Sequence, residues 1–189
     1  MKMLYISKGI VQKDSTEQLL FVVRGGQRYQ LTGPAAAVWL NGRFGFAKSR
    51  SSSEEQALKY LERLELVETE DTDDARSRYQ ILTRCVCCPA VFTKPERPMS
   101  AKEKAILSFL RNAGIRLTVA ELVFLQEHGI APEAKYLYPE NRQTLIEAIY
   151  TKDTIADNLL EHQMETARCR DEVVRILMKL LNKKKILIL

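Results

Sequence analysis

The most reactive side chains of this chain are concentrated in the segment "RCVCCP", which contains Cys85, Cys87 and Cys88. Thiolates bind zinc and exchange disulfides, so the cluster is a candidate metal site or redox switch. In an extended segment, Cys85 and Cys87 would point to one face and Cys88 to the other. The remaining cysteine and the two histidines are distant in sequence: Cys169, His128 and His162. We therefore predict buried structural cysteines and no bound metal.

Other catalytic patterns are weaker still. His128 and His162 lie in helical segments without a nucleophile or an acid close in sequence. The segment "RGGQR" lacks the lysine spacing of a phosphate-binding loop, and no GxGxxG pattern occurs. The prediction is a protein that is not an enzyme and needs no cofactor.

Composition leaves both nucleic-acid and protein partners open. The 189 residues include 29 Lys and Arg against 24 Asp and Glu, a net charge of +5. An excess of this size permits nucleic-acid binding, which depends on where the charges lie. No apolar run approaches the roughly 20 residues that span a bilayer. With no export signal and four unevenly spaced cysteines, we expect a cytoplasmic protein that does not enter a membrane.

Three prolines, Pro89, Pro95 and Pro98, mark the clearest boundary in the chain. Proline fixes φ and disfavours helix in the residue before it, which predicts a semi-rigid connector. We divide the chain into a winged-helix-like α+β domain at 1–88, a Pro-rich linker at 89–98 and a helical domain at 99–189.

The first domain has a pattern of strands, two helices and two strands. Gly25 and Gly26 separate two β-rich runs and predict a hairpin. Thr32 precedes one helix, "GPAAAVWLNGRFG", and serines 51–53 begin another. The segments "LVETE" and "RYQILTRCVC" are predicted as a second strand pair around the polar loop "DTDDARS". This order is typical of a small winged-helix unit.

The second domain is predicted to be mainly helical. Ser100 and Glu103 form a capping-box pattern at the first helix, and Gly114 and Gly129 are typical of helix ends. Near the end of the chain, Asp153 or Thr154 can cap a short helix. A longer helix with Val173, Val174, Leu177, Leu180 and Leu181 follows, and "ILIL" is predicted as a strand.

The segment from Ile155 to Ile188 resembles the winged helix-turn-helix family, whose pattern is "IAxxL", a turn, then "VxxxLxxLxxKxxI". The resemblance implies that the last long helix enters the major groove of double-stranded DNA, followed by a basic wing. The residues implied in DNA binding are Arg168, Arg170, Arg175, Lys179, Lys183, Lys184 and Lys185.

Two alternatives remain for this basic surface. Asp171 and Glu172 would repel phosphates, and the same pattern suits an ordinary solvated helix face. A competing register would make "NRQTLIEAIY" the recognition helix, with Arg142, Glu147 and Lys152 on its surface.

The hairpin and the segment "YQLTGPAAAVWLNGRFG" of the first domain resemble the PqqD-like peptide-recognition modules. The resemblance implies that an extended peptide adds to an exposed sheet edge through main-chain hydrogen bonds. Acidic residues in the predicted second hairpin argue against DNA binding by this domain.

Together these patterns predict an α+β protein with two winged-helix-like modules, built from small β-hairpins and helical bundles. We interpret it as a dimeric DNA-binding transcription regulator. The alternative is a peptide- or protein-binding adaptor that does not bind DNA.

Overall fold

The computed structural model describes residues 2–16, 19–90, 98–112, 116–150 and 159–189. These ranges contain eight α-helices and three small antiparallel sheets, which confirms the α+β class. The chain divides into two compact units, the first formed by Met1–Cys85 with Leu187–Leu189 and the second by Val86–Ile186. The linker predicted at 89–98 lies mostly outside the described residues, so the predicted boundary stays a prediction.

The first unit alternates short strands with three helices. In chain order its elements are β1 (Leu4–Ser7), β2 (Ile10–Val11), β3 (Leu20–Arg24), β4 (Gln27–Leu31), α1 (Gly33–Asn41), β5 (Ala47–Lys48), α2 (Ser52–Arg63), β6 (Val67–Glu70) and α3 (Ala75–Thr83). One sheet has the strand order β5-β1-β6 and the other the order β2-β3-β4.

The predicted glycine hairpin is confirmed. β3 and β4 pair antiparallel from Leu20 opposite Leu31 to Arg24 opposite Gln27. The two residues of the turn, Gly25 and Gly26, have φ values of 57° and 81°. A two-residue turn of this kind matches the twist of the strands but needs positive φ at both positions, which glycine adopts without strain.

Helices α1 and α2 begin where the sequence predicts. Pro34 lies in the first turn of α1, although the Thr32 side chain makes no capping hydrogen bond. The Oγ atom of Ser51 accepts a hydrogen bond from the Glu54 amide and caps α2. The two helices and both sheets bury a common core that includes Tyr5, Leu20, Val22, Leu31, Val38, Trp39, Leu58, Leu61 and Leu66.

The strand predicted over "RYQILTRCVC" is wrong, because most of this segment forms α3. The Asp74 side chain accepts a hydrogen bond from the Ser77 amide at 2.8 Å, which satisfies a free N–H group of the first turn. Tyr79 and Leu82, three positions apart, are both buried. Strand β6, the first strand of the predicted second hairpin, is confirmed. The hairpin itself does not form in this described segment, because α3 follows β6.

Several acidic residues of this region are paired with cations of the same unit. The Glu68 carboxylate contacts Lys8 Nζ and lies 2.7 Å from Arg84 Nε. The side chain of Lys8 is only 2% exposed. Arg84 also donates to Glu70 at 3.0 Å. These contacts give the acidic segment a structural role.

The second unit is mainly helical. Its elements are β7 (Val86–Pro89), α4 (Ala101–Asn112), β8 (Leu117–Thr118), α5 (Val119–Glu127), a 3-10 helix (Ala134–Leu137), α6 (Pro139–Ile149), α7 (Leu159–Met164), α8 (Arg170–Asn182) and β9 (Ile186–Ile188), which begins at the end of this unit. The third sheet has the strand order β8-β7-β9. β9 confirms the predicted final strand.

The capping box at the start of α4 is confirmed. The Ser100 amide donates to a Glu103 carboxylate oxygen at 2.6 Å, and the Glu103 amide donates to Ser100 Oγ at 3.2 Å. The predicted helix end at Gly114 lies outside the described residues. So does most of the short helix predicted after Asp153 or Thr154, of which α7 describes only the part from Leu159 onward.

Candidate nucleic-acid interface

α8 is an amphipathic helix whose outer surface is basic. Its inner surface is formed by six buried residues, Val173, Val174, Ile176, Leu177, Leu180 and Leu181. Arg175, Lys179 and Asn182 recur at intervals of four and three residues, and all three are exposed. Because each helical residue advances 1.5 Å, Arg175 and Lys179 are about 6 Å apart along the axis on one side of the helix.

Two more exposed cations lie at the ends of this helix. Arg168 precedes the first turn, and Lys184 follows the last turn with a φ of 59°. We call Arg168, Arg175, Lys179 and Lys184 the α8 basic face. Arginine and lysine at such positions can donate to phosphate oxygens or to guanine edges.

The acidic residues at the start of α8 are paired with neighbouring cations. Glu172 contacts Lys102 of α4 and lies 3.6 Å from Arg175 Nη2. The hydrogen bond from Lys102 holds the pKa of Glu172 below its usual value. Asp171 accepts from Arg170 Nε at 2.7 Å. Sequence reasoning missed Lys102, since it lies 70 residues before Glu172 and no local pattern links them.

Three of the seven predicted DNA-binding residues are half-buried. Lys183 Nζ donates to the Glu103 carboxylate at 2.6 Å and to the Pro98 carbonyl at 2.9 Å, with its side chain only 23% exposed. Arg170 is half-buried and paired with Asp171, as described above. Lys185 is half-buried in the turn before β9. These three residues are poorly placed for phosphate.

The competing helix, α6, presents a less suitable surface. Arg142 is half-buried, whereas Glu140 and Glu147 are exposed on this helix. Lys152, the remaining cation of that prediction, lies outside the described residues. An acidic helix surface would be repelled by phosphates, so α8 is the better candidate.

The cysteines of the cluster are buried or half-buried, as small apolar side chains usually are. Cys85 and Cys87 are fully buried, and Cys88 is half-buried. Burial raises the pKa of Cys85 to about 12, which opposes formation of the reactive thiolate. Within the described ranges, no group of three or more His, Cys, Asp or Glu residues is arranged to hold a metal ion.

A second surface of interest is the outer edge of β4 in the first unit. β4 is an edge strand of its sheet and pairs with β3. Beside it lies a cavity of about 480 Å³, formed by the hairpin and the end of α2. Its lining residues are Arg24, Gly25, Gln27, Tyr29, Arg63, Leu64 and Glu65. Sequence reasoning predicted an exposed sheet edge but missed this cavity, which only the packing of α2 creates.

Two further findings complete the description of the chain. Among the helices that the structure describes, none combines the length and apolar character needed to cross a bilayer. No protein-family model, curated protein or solved structure matches this chain.

Proposed function

We propose that the second unit binds double-stranded DNA through the α8 basic face. The observation that supports this proposal is the row of exposed cations along α8. Of the neighbouring carboxylates, Glu172 is shared between Lys102 and Arg175, and Asp171 is paired with Arg170. In the winged-helix mode, α8 would lie in the major groove. Arg175 and Lys179 would then contact bases or phosphates from the middle of the helix.

As a cytoplasmic transcription regulator, the protein would act as a homodimer, with one α8 in each half-site. Two-fold symmetry of the protein is then matched by two half-sites about one helical turn of DNA apart. Arg168 and Lys184, at the two ends of the helix, would contact the backbone on either side of the groove.

The test is a fluorescence titration of random-sequence duplex DNA at several salt concentrations. Four phosphate contacts predict a slope of log K against log salt of about −3.6. Arg175→Ala/Lys179→Ala should weaken binding and reduce that slope by about 2.

The matched control is Lys59→Ala/Arg63→Ala, which removes one lysine and one arginine four residues apart on the exposed side of α2. This control should bind DNA as the unmodified protein does. Equal effects of the two double variants would show a general charge effect and contradict the assignment to α8. Absence of binding at low salt would contradict DNA binding altogether.

A second candidate function, peptide binding, is favoured by the edge of β4 and the cavity beside it. In an antiparallel hairpin, alternate residues turn their N–H groups away from the partner strand. Since Arg24 and Gln27 close the two-residue turn, the outward N–H groups of β4 belong to Arg28 and Gln30. An extended peptide could pair with these groups and place a side chain in the cavity.

A random peptide library displayed on phage tests this candidate. Gln30→Pro removes an outward N–H group without removing a bond to β3, whereas Gln30→Ala keeps the N–H group. Selected peptides should bind the alanine variant and lose affinity for the proline variant. Peptides that bind both variants equally would contradict pairing at this edge.

A further inference from the structure

A second cavity of the first unit has a basic lining that neither proposal uses. It has a volume of about 480 Å³, within the range of small-molecule sites. Its walls come from Lys2 and the start of β1, the end of α1, the segment around β5, the loop before α3, and α3 itself. The lining residues are Lys2, Leu4, Asn41, Phe46, Ala47, Lys48, Ser49, Arg50, Asp73 and Arg78.

Four basic side chains and one carboxylate line this cavity. Asp73 accepts from Lys48 Nζ and from Arg78 Nε, each at 2.7 Å. These two donors hold the pKa of Asp73 below its usual value, so it remains a carboxylate at neutral pH. It neutralises part of the charge of Lys48 and Arg78 at the wall of the cavity.

The other two cations, Lys2 and Arg50, are exposed, and among the described residues neither side chain has an ion pair. Arg50 directly precedes Ser51, the residue that caps α2. The first turn of α2 also carries Glu54 and Glu55, and Glu54 accepts a hydrogen bond from the Arg50 amide, so these carboxylates offset the partial positive charge of the helix end. Among the residues that line the cavity, four cations face one carboxylate, that of Asp73.

Part of the wall is apolar. The ring of Phe46 lies 5.7 Å from the Arg78 guanidinium carbon, and Leu4 and Ala47 also line the cavity. A guanidinium and ammonium set beside an aromatic ring suits a ligand that carries a phosphate on a small organic group.

We propose that this cavity binds the phosphate group of a small phosphorylated molecule. Arg50 and Arg78 would each donate to phosphate oxygens, and Lys2 and Lys48 would neutralise the remaining charge. The organic part of the ligand would lie against Phe46. This proposal concerns the first unit only and does not depend on DNA binding by α8.

The experiment is an isothermal titration with inorganic pyrophosphate, and with sodium chloride at equal ionic strength as the reference. Arg50→Ala and Lys2→Ala should each weaken pyrophosphate binding roughly tenfold, the effect of losing one charge-assisted hydrogen bond. Lys59→Ala, which removes one exposed cation outside both cavities, should leave pyrophosphate binding unchanged. Saturable binding that is insensitive to Arg50 and Lys2 would overturn the proposal, as would no saturable binding.

Asp73→Asn provides a test with the opposite sign. It removes the one carboxylate of the lining and frees Lys48 and Arg78, so a folded variant should bind pyrophosphate more tightly. General damage to the fold would instead weaken binding, and circular dichroism establishes that the variant is folded. Weaker binding by a folded Asp73→Asn variant would overturn the proposal.

The same variants separate this site from the DNA-binding surface. Arg175→Ala/Lys179→Ala should retain pyrophosphate binding whether or not it retains DNA binding. If Arg50→Ala weakens binding of random duplex DNA but not of pyrophosphate, the cavity belongs to a nucleic-acid surface and the small-ligand proposal is overturned.

Discussion

Replacement of Lys183 by alanine tests whether this lysine stabilises the fold or is available to bind a ligand. In sequence, Lys183 and Lys179 are equivalent members of one basic helix end. In the structure, Lys183 binds the carboxylate of Glu103, a residue only 3% exposed, and also the Pro98 carbonyl. We expect Lys183→Ala to destabilise the protein and Lys179→Ala to leave its stability unchanged.

The size of the effect follows from these contacts. A hydrogen bond to a charged group contributes about 1.5–3 kcal/mol to stability. Because the Lys183 side chain is 23% exposed, water screens part of this interaction. We therefore expect a loss of about 2 kcal/mol in the free energy of unfolding. With an m-value of about 1.5 kcal/mol/M, the urea midpoint falls by about 1.3 M.

Urea unfolding followed by circular dichroism measures this shift, and the DNA titration is repeated under conditions where both variants are folded. Lys183→Ala should be less stable than the unmodified protein and should still bind DNA. Lys179→Ala should be as stable as the unmodified protein and should bind DNA more weakly. An unchanged urea midpoint for Lys183→Ala would refute the structural role of the Lys183–Glu103 pair.

The effect of Lys183→Ala should also depend on pH. The hydrogen bond from Lys183 is the largest cause of the lowered pKa of Glu103. A carboxyl group with a lowered folded-state pKa contributes stability above its unfolded-state pKa of about 4.3, and this stability is lost as the pH falls through the folded-state value. The difference between the variant and the unmodified protein should be full at pH 7 and should shrink below about pH 4. A difference that stays constant down to pH 3 would count against a charge interaction.

Two other predictions concern packing and thiol reactivity. A Cβ atom on Gly42 would lie 2.7 Å from a ring carbon of Tyr5, whereas one on Gly45 would meet no atom within 4 Å. Gly42→Ala should therefore lower the free energy of unfolding by about 1–3 kcal/mol and Gly45→Ala should change it little, as measured by urea unfolding; equal midpoints would contradict the close packing. Cys85 and Cys87 are both fully buried and should react with a thiol reagent only after unfolding. Rapid labelling of either cysteine in the native protein would contradict this burial and would support a redox role.

Local signals in the sequence were sufficient for several elements of the fold. The hairpin at Gly25 and Gly26, the helix start at serines 51–53 and the capping box of Ser100 and Glu103 all occur as predicted. Each depends on residues within a few positions of one another. Such short-range patterns specify turns and helix ends before any tertiary contact forms.

At α3, the local sequence pattern led to a wrong prediction of a strand. Tyr79 and Ile81 alternate with polar residues, a pattern typical of a half-buried strand. The decisive signal was Asp74, whose side chain caps a helix, but it lay in a run of acidic residues that was interpreted as a loop. Over a nine-residue segment, the alternating and helical patterns overlap, and a single cap can decide between them.

The candidate sites depended most on contacts distant in sequence. A net charge of +5 cannot tell which cations are available, because each lysine or arginine near a carboxylate of its own unit is already partly neutralised. Lys183 was assigned to DNA from its neighbours in sequence, yet its position is determined by Glu103, 80 residues earlier. The same reasoning favours Lys179 within the α8 basic face, whereas Arg175 shares Glu172 with Lys102 and keeps part of its charge for a partner. A lysine or arginine that lies far from the carboxylates of its own unit keeps its charge and can bind the phosphates of a partner.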